Sequence, residues 1–307
     1  MPSPTKKPAG NRVLIILRLL VQSFSEIKKN DPLRMAGATA FFTTFALPPI
    51  LIILFQVFGL FLNQKLVGSG LGRVLSDTLG SDVAAQIRQT TRGFRTLVQH
   101  WYTAIPGFLF LLFVATTLFT VIKNTLDDIW NIKLKEKPGI LFNLRLRARS
   151  IGIILAAGIL FLAGIVMDGF EILVGNNIEK IWHGGGGFFK GILNEIVGVV
   201  IVTTWFIVLF RFLADGRPVW KAVIAGGLLT GLLFSIGKTL LSFLMKSSNI
   251  GNIYGASASI VLILLFVFYS SFILYFGASF IKVYSDAIGK PIEPVDKAYR
   301  YRLEEVH

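Results

Sequence analysis

Side chains able to do chemistry are sparse in this sequence. The absence of cysteine removes disulfides, thiolate zinc sites, iron–sulfur ligation and thiol nucleophiles together, and leaves the redox compartment unread. The three histidines, His100, His183 and His307, stand too far apart to form a metal site by spacing. Two glycine motifs invite an enzymatic reading, and both fail. His183-Gly184-Gly185-Gly186-Gly187 resembles the oxyanion-hole glycines of lipases, but no Gly-x-Ser-x-Gly follows to supply a nucleophile, so a flexible external loop is expected. Gly231 to Thr239 resembles a phosphate-binding loop, yet five residues rather than four separate Gly231 from Gly237, inside an apolar helix. Nucleotide hydrolysis is discarded. Asp127-Asp128 is an adjacent acidic pair, whereas metal-assisted RNA cleavage wants a larger cluster of Asp, Glu or His. With no defensible nucleophile–base pair, the sequence predicts no enzyme, no cofactor and no metal.

What remains is polar chemistry set into apolar segments. Thr39, Thr43 and Thr44 precede Pro48-Pro49, which fall near the middle of a long uncharged run. Two adjacent prolines must kink or break a helix there, and freed carbonyls are tolerated in hydrocarbon only where protein, hydroxyls or a wet cavity satisfies them. A break at that depth is a device of transporter binding sites, with a packing kink as the alternative. Thr116, Thr120, Lys123 and Asn124 end a second apolar run, and Ser257 and Tyr269 lie in the last one. The candidate substrate groove is therefore Thr39, Thr43, Thr44, Pro48, Pro49, Thr116, Thr120, Asn124, Ser257 and Tyr269. Lys123, Arg211 and Arg217 are the headgroup partners at the inner face. Each of these residues also admits a purely structural reading.

The elements that must position them are membrane helices. Of the 307 residues, 53% are hydrophobic and only 16% charged, at a mean hydropathy of +0.68, which is too oily for soluble domains. Uncharged stretches cover residues 35–64, 102–122, 150–167, 196–210, 222–237 and 247–281. Most approach or exceed the ~20 residues that an α-helix needs to cross hydrocarbon, and continuous apolar runs rule out an outer-membrane barrel. The expected fold is all-α: a polytopic membrane protein with six transmembrane helices. The net charge of +14 is uneven across these spans. Seven Lys/Arg precede the first span, seven lie between spans two and three, three between four and five, and five after six. That puts 22 of the 31 on one side and nine on the other, so both termini should face the cytoplasm. Such charge needs no nucleic acid; it sets topology and draws anionic membrane lipids.

Ahead of the first span, residues 12–29 carry a dense apolar run punctured by Arg18 and too short to span, as expected of a cytoplasmic interfacial helix. Asp31-Pro32 then opens span one, proline being suited to a first helical turn. Residues 63–101 hold Leu71, Val74, Leu75, Val83, Ile87 and Phe94 near helical spacing and read as external amphipathic helices, parted at Gly80-Ser81-Asp82. Lys123 is placed to snorkel to the inner interface, and Trp130 to sit in the headgroup belt. Asp168 and Glu171 read as a solvated outer helix end. Gly227-x-x-x-Gly231 should let another helix approach closely, and Lys238 should reach the outer interface. No removable signal peptide and no fixed-period repeat is read. The expected divisions are a cytoplasmic tail and interfacial helix at 1–34, a transmembrane domain at 35–284 with its insert at 63–101, and a cytoplasmic tail at 285–307, with the N-terminal tail and residues 290–307 read as mobile.

Four segments carry a family likeness. They are Ala36-Gly37-Ala38-Thr39-Ala40-Phe41-Phe42 leading to Pro48; Leu126 to Trp130; Arg211 to Arg217 with Trp220 to Gly227; and Tyr254-Gly255-Ala256 through Tyr269-Ser270-Ser271 to Gly277-Ala278 and Lys282. In order, and over nearly the whole chain, they resemble the YihY/BrkB family of bacterial inner-membrane proteins, also called UPF0761 and formerly labelled ribonuclease BN. One departure is Asp127, where many members are expected to have Asn. The resemblance implies six helices with cytoplasmic termini and links to serum resistance and to moving lipids or lipid precursors. From it and the polar faces, the expected function is a flippase-like lipid transporter without nucleotide hydrolysis, with anionic lipids as partners. A non-transporting envelope scaffold holding a protein partner is the alternative, a membrane-bound ribonuclease the least favoured, and a homo-oligomer is compatible with all three.

Overall fold

The computed structural model describes residues 12–59, 101–135, 148–160, 162–164, 185–247 and 258–301, with single helical positions at 85, 89 and 144. The external insert apart from positions 85, 89 and 101, together with Asp168, Glu171, His183 and Ser257, falls outside the described residues. In chain order the elements are α1 (Arg12–Lys28), α2 (Pro32–Gly59), α3 (Trp101–Ile129), β1 (Ile132–Leu134) and α4 (Ala148–Gly164). Then come α5 (Gly185–Phe212), β2 (Gly216–Arg217), α6 (Trp220–Ser247), α7 (Ala258–Ala287), β3 (Glu293–Pro294) and β4 (Ala298–Arg300). The joints after α1 and α3 are made by Asp31 and Asn131, both left-handed at φ 49° and 56°, a conformation that short polar side chains tolerate best.

Four helices among the described residues are long and apolar enough to cross a membrane: 23 residues of α2, 18 of α5, 22 of α6 and 28 of α7. At about 1.5 Å per residue they rise roughly 27 to 42 Å, against a hydrocarbon layer of about 30 Å. The helix α3 has 29 residues, and α4 is a shorter apolar helix. The helices α2 and α6 both pack on α7, with α3 against α2, α5 against α6 and α1 across α7. Apolar residues that would be costly in water stay exposed along α6, at Ile224, Leu228, Leu232, Ile236 and Leu240, a one-turn spacing that gives lipid a continuous stripe.

The glycines of α6 set how closely its neighbours approach. A Cβ on Gly227 would run into the side chain of Ile207 of α5, and one on Gly231 into Thr203 of the same helix. On the other side, Gly226 and Gly237 are closed by Ile281 and Tyr269 of α7. The expected close approach at Gly227-x-x-x-Gly231 is thus present, and its partner is α5.

Four expectations are corrected. The helix α2 is not broken: it runs as one 28-residue helix through Pro48 and Pro49, both buried. Packing against α3 and α7 holds it. Gly185, Gly186 and Gly187 form the first turn of α5 rather than a loop. Residues 290–301 are not a mobile tail and the fold is not purely helical. Instead β1 pairs antiparallel with β4 (Ile132↔Arg300, Leu134↔Ala298) and β2 with β3 (Gly216↔Pro294), strapping the C-terminal segment across the ends of α3 and α5. Beneath that strap Trp130 is fully buried, donating from Nε1 to the Ala278 carbonyl at 3.0 Å, so it is a core residue and not part of a headgroup belt.

Candidate functional site

The charged residues that open water would keep solvated are instead gathered under the strap. One turn separates Lys123 from Asp127 on α3, an i,i+4 spacing that sets the two on one face. Lys123 Nζ lies 2.7 Å from Asp127 Oδ2 and 2.7 Å from Asp215 Oδ2, with the three side chains 4%, 9% and 3% exposed. Asp215 follows the end of α5, and its own N–H donates to Asp127 Oδ1 at 2.8 Å. Arg149 of α4 completes the set: its Nη1 donates to Asp215 Oδ1 at 3.0 Å and reaches the Leu213 carbonyl at 3.3 Å. Two cations and two carboxylates from three separated segments therefore neutralise one another inside protein.

The loop that supplies Asp215 is held on both sides. Gly216 is wedged so tightly that a Cβ would meet Trp130 at 2.6 Å, Ile132 at 2.8 Å and Ile292 at 3.0 Å, so glycine is required by space alone. The Val295 N–H donates to the Asp215 carbonyl at 2.9 Å, joining the C-terminal strap to the ion cluster. Arg217 spends its Nη1 on the carbonyls of Arg211 (3.1 Å) and Ala214 (3.0 Å). Burial pushes the Arg217 guanidinium below its ordinary value, and the charges of Arg149 and Arg211 push the same way, against Asp215 and Asp127. Arg211 stacks over Trp220 at 5.0 Å and donates to the Pro218 carbonyl at 2.6 Å.

A second polar knot lies beside the first, where α1 crosses α7. Lys282 Nζ donates to Glu26 Oε1 at 2.7 Å and Asn131 Oδ1 at 3.1 Å, Lys29 takes the other oxygen of Glu26 at 2.8 Å, and Ser279 donates to the Ser23 carbonyl at 2.8 Å. Burial pushes the Glu26 carboxyl up, but the hydrogen bonds and charges of Lys282 and Lys29 outweigh it and hold the group below its ordinary value of 4.5. A depressed folded-state pKa gives stability that is present above the unfolded value and lost as pH falls through the folded one. Thermal melts in detergent should therefore show a stability loss below about pH 4.5 that Glu26→Gln reduces. An identical acid profile in the variant would remove Glu26 from the account.

The sequence-derived candidates are distributed as follows. Lys123 is not a snorkelling headgroup partner: it is buried between carboxylates, because the loop after α5 covers the end of α3. Arg211 and Arg217, half-buried, hold loop carbonyls. Thr39 is buried, bonds the Met35 carbonyl and meets the Tyr275 hydroxyl of α7. Thr43, Thr44, Thr116 and Thr120 each donate to their own helix one turn back. Asn124 is exposed, and Tyr269 donates to the Leu233 carbonyl of α6 at 2.8 Å. Reading by residue missed Asp127, Arg149, Asp215, Glu26 and Lys282 as partners. The i,i+4 spacing of Lys123 and Asp127 was the available signal; no local pattern joins Asp127 to a residue 88 positions away. Asp127 and Asp128 do not converge on a common point, the first being buried with Lys123 and the second exposed.

A profile of the family described as Virulence factor BrkB matches residues 23–300. Among curated relatives, a UPF0761 membrane protein of Teredinibacter turnerae is 23% identical over 272 residues, covering 89% of this chain and 61% of the relative. One of Saccharophagus degradans is 22% identical over 280 residues with the same coverage, and the UPF0761 membrane protein MS0032 of Mannheimia succiniciproducens is 23% identical over 280 residues, covering 92% of its own length. The chain thus spans about three-fifths of the length of the first two. No solved structure matches.

Proposed function

We propose that this chain, which belongs to the Virulence factor BrkB family of membrane proteins, is a six-span protein of the bacterial inner membrane that moves lipids or lipid precursors between leaflets. In this reading both termini are cytoplasmic, anionic lipids are the partners, and no nucleotide is hydrolysed. The observation that carries it is the charge-balanced cluster of buried Lys123, Asp127 and Asp215 with half-buried Arg149. Ionisable groups taken out of water cost several kcal/mol unless they are paired, and a paired set that joins separate segments is a candidate moving part. Here they tie α3, α4 and the α5–α6 loop together at the end that carries the Lys/Arg excess, where a transporter needs a closure that can be made and broken.

Proteoliposomes carrying a fluorescent phospholipid test this. The protein should accelerate exchange of the probe between leaflets over protein-free vesicles, and Asp215→Asn, which weakens the closure, should change that rate. No acceleration with any headgroup overturns transport. A non-transporting scaffold is favoured by one observation, that α2 is continuous and the threonines of α2 and α3 are bonded within their own helices. Deleting residues 71–101 separates the two readings, since a scaffold loses its envelope partner while a transporter keeps lipid movement.

A further inference from the structure

We infer that the corner between α1 and α2 is a binding site for one anionic phospholipid of the cytoplasmic leaflet. The helix α1 has three faces. Leu19, Ser23 and Ile27, one turn apart, are buried against α7. Leu14, Leu17, Val21 and Phe24 form a second stripe that is 63%, 52%, 70% and 46% exposed, an arrangement that only lipid or another apolar surface makes tolerable. Arg18, Gln22 and Ser25 make the third, exposed and polar. A helix with one face on protein, one apolar and one charged lies in the plane of the membrane interface.

At the C-terminal end of α1 the apolar stripe runs into a cavity of about 520 Å³, within the usual range for small-molecule sites. Phe24 belongs to both, and Ile27, Leu33 and Phe272 add the other apolar walls. Phe272 is the wall that α7 contributes, facing the end of α1 and the start of α2. Lys28 and Arg34 stand at the cavity, with Asp31 as the one carboxylate there. Arg34 and Asp31 are 3.7 Å apart with side chains 75% and 76% exposed, a loose pair that a phosphate can displace. Of the other carboxylates nearby, Glu26 is already taken by Lys282 and Lys29, and Asp128 at the end of α3 is shared between the charges of Lys133 and Arg34. A basic rim at the headgroup level above apolar walls open to lipid fits an acyl-chain anion and not a soluble one, because a water-soluble anion would leave the walls uncovered.

The site rests on the interfacial placement of α1 but not on lipid movement. The full chain, purified and delipidated, is titrated with phosphatidylglycerol or phosphatidylcholine and retained lipid is counted by native mass spectrometry. One phosphatidylglycerol per chain should be held at least about tenfold more tightly than phosphatidylcholine. Lys28→Glu with Arg34→Glu should abolish that preference, and Leu33→Trp, which fills the cavity at an exposed position, should weaken both lipids without changing charge. Glycerol phosphate in excess should not compete. Equal retention of the two lipids, retention unchanged in both variants, or competition by glycerol phosphate would each overturn the site. A chain that holds phosphatidylglycerol here yet fails the vesicle assay keeps this site and loses the transport reading.

Discussion

Lys123→Met should destabilise the protein by about 3–5 kcal/mol, the usual cost of removing one partner from a buried ion pair. The ammonium is shared by Asp127 and Asp215 at 2.7 Å each, so its loss leaves two buried carboxylates facing one another, with Arg149 bonded to Asp215 alone and Arg217 acting only from a distance. Met keeps the length and apolar volume of the stem, which isolates the charge from the packing. A companion variant sharpens the reading: Lys123→Met with Asp127→Asn should recover part of the loss. Asn removes one of the two stranded charges while its carbonyl still accepts the Asp215 N–H. Thermal unfolding in detergent, with size-exclusion profiles as the check on folding, measures both. A single variant within 1 kcal/mol of the parent would mean that the cluster is solvated.

The second large effect is expected at Gly231→Leu. A side chain there meets not only the Thr203 hydroxyl, which can turn, but the Thr203 Cα at 3.1 Å, which cannot move without α5 moving with it. Overpacking against backbone costs about 1–3 kcal/mol or more, and here it separates two helices that bury each other. Gly231→Ala should cost less but be measurable, and Leu228→Ala, on the exposed face of the same helix, should be near neutral. A melting temperature in Gly231→Leu equal to that of Leu228→Ala would refute the close α5–α6 contact.

These two sites divide in how far the sequence reveals them. The small-residue spacing at Gly227 and Gly231 announces a close helix approach, because glycine in an apolar helix has few other uses, although nothing local says that the partner is α5. Helix starts and apolar stretches are legible for the same reason, since Pro32 and the hydropathy of each span are local properties. The positions of Lys123 and Trp130 are not. Depth alone sends an ammonium to the interface and an indole to the headgroup belt, but the loop carrying Asp215 and the strand Ala298–Arg300 fold over that end and enclose both. A three-residue strand pairing across more than 150 positions has no periodicity to detect. The double proline misleads in the opposite direction. Its two missing donors are a local signal for a break, and tertiary packing overrules them.

The central claim is that the ion cluster is a closure that opens, and the absence of cysteine makes it directly measurable. Asn124→Cys on α3 and Lys221→Cys on α6, both at exposed positions, carry a spin-label pair across the cluster without further engineering. Electron–electron resonance in phosphatidylglycerol-containing bilayers should give a short, dominant distance and a longer minor one, with Asp215→Asn shifting population to the longer. One narrow distance, the same with and without Asp215→Asn, would show a static clamp and contradict the account.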